Sequence, residues 1–149
     1  MHGIKVQSAL ALSFIAIASF QPSWGAEILP ADQPVQVRGI EVACTGESLD
    51  LRKDARWDDF ALKIEFAGPG GQYVGGESVS ISRDDKEILN VVCSGPWLLL
   101  RLPPARYDVS AKLDGQTAKS AAFVSKKGQG HIILRFLGES VALNLAGSR

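Results

Sequence analysis

The sequence predicts an all-β fold: an antiparallel β-sandwich of about seven to eight strands, with one short helix after the first strand. Apolar and polar residues alternate with period two through most of the chain beyond residue 38. Turn-forming groups of Gly, Pro and Asp interrupt that alternation about every eight to twelve residues. Only Glu47–Arg56 lacks both strand alternation and any Gly or Pro. A chain of 149 residues, 46% of them hydrophobic, suffices for one domain with a sizeable core but not for two comfortable ones.

Residues 1–25 have the layout of a secretory signal peptide. His2 and Lys5 give a weakly basic start, and Ala9–Phe20 is an apolar run shorter than the ~20 residues that span a bilayer. Pro22 then stops the helix that run would form. Cleavage after Gly25 puts Ser23 and Gly25, both small, at positions −3 and −1; cleavage after Ala26 would put bulky Trp24 at −3. The alternative is an uncleaved anchor. No later segment is long and apolar enough to cross a membrane, so a periplasmic or extracellular protein with no membrane span in its mature chain is expected.

Residues 26–38 form a linker or edge segment, because Pro30 and Pro34 forbid a continuous helix and lack the N–H of a central strand. The sandwich is assigned to 39–138. Val35–Val42 alternates apart from a break at Gly39, and Phe60–Phe66 puts Leu62, Ile64 and Phe66 on one face with Lys63 and Glu65 on the other. Between them Ser48 offers an N-cap and Asp50 a first-turn acid, which makes Glu47–Arg56 the short helix.

Ala67–Gly71 is a glycine-rich turn, and Glu77–Ser82 alternates with Val79 and Ile81 inward. Arg83–Lys86 is a polar turn leading into a strand over Glu87–Cys93. Trp97–Leu102 is the most apolar run after residue 25, as befits an interior strand, and Pro103-Pro104 ends it. Arg106–Leu113 and Gln116–Val124 flank Asp114-Gly115, a strong hairpin signal. A turn over Lys126–Gly130 precedes a last strand, His131–Phe136. The 139–149 segment, with Val141, Leu143 and Leu145 alternating, is an edge strand or a mobile tail.

With 16 basic and 16 acidic residues the chain lacks the basic excess by which proteins hold nucleic acid. Two histidines and two cysteines are too few for a structural zinc cluster that does not consume them all. In an oxidising compartment Cys44 and Cys93 are read as a disulfide ahead of free buried thiols, and no Cys-x-x-Cys spacing favours redox chemistry.

Catalytic signals are thin. His131 is the only histidine after residue 25, and its place at the head of an alternating strand favours a satisfied or solvent-facing side chain. No Gly-x-Ser-x-Gly elbow is present, and the glycines of residues 68–76 precede no helix that would make them a phosphate loop. Asp58-Asp59 and Asp84-Asp85 lack calcium-loop spacing and are solvated turn acids. Neither a cofactor nor a metal is expected. The candidate binding aromatics are Trp57 and Tyr73, with Trp97 a further candidate for which its place beside Gly95-Pro96 favours the core.

The stretch Leu102-Pro103-Pro104-Ala105-Arg106-Tyr107-Asp108-Val109 resembles the Leu-Pro-Pro-Gly-x-Tyr-x-Val segment of carboxypeptidase regulatory-like, or prealbumin-like, β-sandwich domains. Ser94-Gly95-Pro96-Trp97-Leu98 before it and Gly115-Gln116-Thr117 after it are similar to a subgroup of small exported bacterial proteins that carry such a domain alone. The resemblance spans Gly39 to Phe136 and is specific only around the Pro-Pro-x-Arg-Tyr residues. It implies a Greek-key sandwich in which Gly95, Pro96, Leu102, Pro103, Pro104 and Tyr107 are structural. Ala105 departs from the usual Gly and requires a backbone without positive φ. Cys44 and Cys93 also depart from the pattern, and their joint appearance favours pairing. Prealbumin-like hydrolases of the ureide pathway use several histidines that this chain lacks. A Lys–Asn isopeptide staple, as in some surface-protein relatives, would need Lys63 with Asn90 or Asn144.

The expected function is an exported, non-enzymatic binding module with a protein or glycan partner in the envelope. A structural envelope protein without a small ligand is the alternative, and a hydrolase comes third. Partner identity and oligomeric state are not encoded in any motif.

Overall fold

The period-two segments form ten strands in a computed structural model that describes Gly3, Ile4, Ala11 and residues 25–138. In chain order these are β1 (Glu27–Ile28), β2 (Val35–Val37), β3 (Ile40–Thr45), α1 (Leu49–Arg52), a 3-10 helix (Ala55–Asp59), β4 (Leu62–Ala67), β5 (Glu77–Arg83), β6 (Lys86–Cys93), β7 (Trp97–Leu100), β8 (Ala105–Leu113), β9 (Gln116–Val124) and β10 (Gly130–Arg135). Sheet one has the order β1-β6-β5-β8-β9 and sheet two the order β10-β4-β7-β3-β2.

Alternation decides what lies between them. Val79, Ile81, Leu89, Val91, Tyr107, Val109 and Ala111 of sheet one share a buried cluster with Val42, Leu62, Ile64, Phe66, Leu98, Leu100 and Leu134 of sheet two. Each fully buried aliphatic side chain contributes about 1.5–3 kcal/mol relative to exposure. Cys44 on β3 and Cys93 on β6 form a disulfide with Cα atoms 5.5 Å apart, so a covalent bond ties the two sheets. Beside it, a Cβ on Gly95 would stand 2.5 Å from the Thr45 carbonyl oxygen, an approach only glycine permits.

Strand number and strand direction correct the sequence reading. Among the described residues there are ten strands rather than seven or eight, and the sheets are mixed rather than antiparallel: β1 runs parallel to β6 and β10 parallel to β4. Of the two readings of 26–38, linker or edge segment, the structure has the edge: Pro30 and Pro34 leave short pieces that lie at sheet edges as β1 and β2. Leu29 N–H donates to the Val92 carbonyl of sheet one, and Asp32 N–H to the Cys44 carbonyl of sheet two, as the chain crosses over. β10 does not fold back antiparallel on β9, because the turn after Val124 carries it to the other sheet. Alternation specifies a strand and its faces but not its neighbour's direction.

The local signals fared better. Asp114 (φ 49°) with Gly115 (φ 77°) forms the expected hairpin turn, and the break at Gly39 in the Val35–Val42 run is itself a hairpin turn, at Arg38 (φ 50°) and Gly39 (φ 79°), rather than an interruption of one strand. Ser48 caps α1, its Oγ accepting from Leu51 N–H at 3.2 Å. The helix stops at Arg52 and resumes as the 3-10 turn, and it follows the third strand rather than the first. Most of the expected signal segment and all of 139–149 lie outside the described residues. Among the described residues no helix is long and apolar enough to cross a membrane.

Candidate functional site

With Leu62, Ile64 and Phe66 inward on β4, and Leu98 and Leu100 inward on β7, the residues between them face outward from sheet two. Half of that outer face is covered. Trp57 and Phe60 from the 3-10 segment pack on Ala43 and Leu99, and Trp57 Nε1–H donates to the Leu51 carbonyl at 2.9 Å. Trp57, expected as an exposed aromatic, is therefore a buried plug with its polar atom satisfied.

The rest of that face carries a cluster of aromatic and charged side chains, in which Trp97 and Glu65 are themselves buried. The chain after β4 folds back through a bridge between Ala67 and Tyr73, which seats Tyr73 edge-on against Trp97 at 6.4 Å between ring centroids. The Arg52 guanidinium, held by the Gly46 carbonyl at 3.0 Å, lies 4.9 Å from the Tyr73 ring centroid. Lys63 Nζ lies 4.3 Å from the Trp97 ring centroid. These are cation–π contacts that fix otherwise mobile side chains. Trp97 is 7% exposed and Tyr73 45%, so Tyr73 offers its ring to solvent.

Below the rings, Glu65 is the hub. Its Oε2 is 2.9 Å from His131 Nε2, and its Oε1 is 3.7 Å from Lys63 Nζ and accepts from the Tyr73 hydroxyl at 3.4 Å. The parallel pairing of β10 with β4 makes this possible, because it sets His131 beside Lys63 and within reach of Glu65. The hydroxyl in the group is that of Tyr73, which donates to Glu65, and Ser94 lines the adjoining hollow. Thr45, paired with Trp97 across β3 and β7, commits its hydroxyl to Asp32 at 2.8 Å, and both cysteines are in the disulfide. A hollow of about 200 Å³ adjoins the cluster, lined by Glu47, Arg52, Tyr73, Ser94 and Pro96 among others. Among the described residues no three His, Cys, Asp or Glu side chains are grouped to hold a metal ion.

No known protein family matches the chain by its family model, and no curated protein matches it either.

Of the residues nominated from sequence, Tyr73 is exposed, Trp97 is buried as expected but on the outer side of sheet two, and His131 joins Glu65. Arg52 and Glu65 were not nominated for a site, and Lys63 was named only for an isopeptide bond. Period two places Lys63 and Glu65 on one face, but nothing in the sequence indicates that the 68–75 segment returns over them. Asp84 and Asp85 form the β5–β6 hairpin turn. Lys63 and Asn90 occupy outward positions on opposite sheets, with the core between them, which removes that isopeptide pairing; Asn144 lies outside the described residues.

The Pro-Pro segment is knitted to the fold. Leu102 is buried, the Tyr107 hydroxyl donates to the Pro103 carbonyl at 2.6 Å, and Ala105 enters β8 without positive φ. Burial raises the Tyr107 phenol above its usual range, with Arg83 drawing it partly back. Gly95 and Pro96 are buried in the turn before β7, and the Pro96 carbonyl accepts from Phe66 N–H at 2.9 Å. Pro104 is exposed at the strand entry.

Proposed function

We propose that the chain is an exported, non-enzymatic binding module of the carboxypeptidase regulatory-like type, a Greek-key sandwich that engages a protein or glycan partner of the cell envelope. The observation that carries this reading is Tyr73: a half-exposed ring held by Trp97, Arg52 and Glu65, ready to contact a partner with little further loss of freedom. Such rings dominate interface energetics because they bring large contact area and a polar tip on few rotatable bonds. The His131–Glu65 pair supports recognition better than turnover, since its carboxylate is already shared among His131, Lys63 and the Tyr73 hydroxyl.

The test is capture from an envelope extract with immobilised wild-type protein and with Tyr73→Ala. A stoichiometric partner retained by the wild type and bound about tenfold or more weakly by the variant is expected. Recovery of abundant envelope components alone, equally with both proteins, would favour the structural alternative. Hydrolysis of a partner preparation that is lost in His131→Ala would replace the binding reading with an enzymatic one.

A further inference from the structure

The outer face of sheet one is built differently from that of sheet two. On the central strand β5, Glu77, Val79 and Ile81 are inward, so Ser78, Ser80 and Ser82 occupy three successive outward positions. Ser110 continues this floor on β8, directly opposite Ser80. Small side chains keep the middle of the sheet low while longer ones stand on the neighbouring strands. Two confluent hollows of about 540 and 550 Å³ result, sharing Ser80, Ser110 and Lys119.

The two ends of this trough differ in charge. At one end Lys112 is opposite Ser78 and Thr117, and Lys119 is opposite Ser110, so neither ammonium faces an acid across the ladder. Among the described residues neither forms an ion pair. The one carboxylate in that hollow, Glu87, already accepts from the Ser80 hydroxyl at 2.8 Å. At the other end stand Asp85 and Asp108, the latter 3.3 Å from Arg106.

We propose that this trough binds an acidic oligosaccharide. A carboxylate on the ligand meets Lys112 and Lys119, its hydroxyl groups exchange hydrogen bonds with the serine floor, and Asp85 and Asp108 accept from further hydroxyls. Aspartate accepts only, ammonium donates only, and serine does both, which matches an anionic polyol. An extended peptide fits less well, because it docks by pairing with a free strand edge, whereas β5 is paired with β6 and β8 on both sides. From Ser78 to Ser82 the floor runs for about 13 Å, the reach of a short oligosaccharide.

The site lies on the opposite sheet from Tyr73 and stands or falls independently of it. The test is calorimetric titration of the full mature protein with a trigalacturonate, a neutral galactose trisaccharide and a short poly-glutamate peptide. Binding of the uronate alone is expected, weakening about tenfold for Lys112→Gln and again for Lys119→Gln, and weakening with salt. Ser80→Leu should block the floor, and Tyr73→Ala should leave uronate binding unchanged. The proposal is overturned by equal binding of the neutral sugar or the peptide, by indifference to both lysine variants, by loss of binding in Tyr73→Ala, or by absence of uronate binding.

Discussion

Glu77 is the residue most at odds with its surroundings. It begins β5 opposite Cys93, its side chain is fully buried, and neither carboxyl oxygen has a hydrogen-bond partner of good geometry. Burial pushes its pKa from 4.5 up to about 8, its own backbone N–H drawing it back only slightly. Below pH 4.5 both folded and unfolded chains hold the proton, and the group adds no pH dependence. Between 4.5 and about 8 the unfolded chain releases it while the folded chain keeps it, so stability falls as pH rises, and it levels off above that window. The slope approaches about 1.4 kcal/mol per pH unit, a few kcal/mol across the range. Glu77→Gln should remove this slope and be the more stable protein at pH 8; parallel urea-midpoint profiles for the two from pH 4 to 9 would disprove it. The alternation that turns Val79 and Ile81 inward turns residue 77 inward too, a consequence for Glu77 that the sequence reading did not draw. No comparable signal marked Trp57 as buried, because it lies where strand periodicity is absent.

At the scale of elements, the segment from α1 through the 3-10 turn is a lid on half of one sheet face. It is held by Trp57 and Phe60 on Ala43 and Leu99, and by Gln129, whose Nε2 donates to the Trp57 and Phe60 carbonyls at 2.8 and 3.0 Å. The same segment delivers Arg52 to Tyr73, so packing under Trp57 also positions the candidate site. Trp57→Ala should cost about 3–5 kcal/mol and Trp57→Phe distinctly less. Chemical denaturation measures this, and an alanine variant within 1 kcal/mol of wild type, on the order expected of surface substitutions, would show that the lid packs loosely. Strand existence, the Ser48 cap and the glycine-containing hairpin at Asp114-Gly115 were legible because each depends on a few adjacent residues. The partners of β1 and β10 were not, because strand direction depends on where a loop delivers the chain. The Glu65 hub shares that blindness, being assembled from β4, β10 and the segment bearing Tyr73.

For the whole molecule, the Cys44–Cys93 bridge couples two sheets whose outer faces carry separate chemistries, aromatic and charged on one side, hydroxyl-rich on the other. Closing a loop of 49 residues restricts the unfolded chain by about 4 kcal/mol in the chain-entropy treatment. That is a large share of the roughly 5–15 kcal/mol by which a domain is ordinarily stable. The Cys44→Ala, Cys93→Ala double variant should therefore fold marginally, with Tm lower by on the order of 15 °C. Both cysteines are buried, at 1% and 0% exposure, so a reducing agent reaches the bridge only when the sheets part. Reduction of the native protein by dithiothreitol should consequently be slow, accelerate steeply in urea, and follow the unfolding rate rather than the reductant concentration. Unfolded protein prepared without reductant should show no titratable thiol. Two thiols under those conditions would mean that the sheets are held together by their shared apolar core alone, and native-state reduction as fast as that of the denatured chain would mean that the reductant reaches the bridge without the sheets parting.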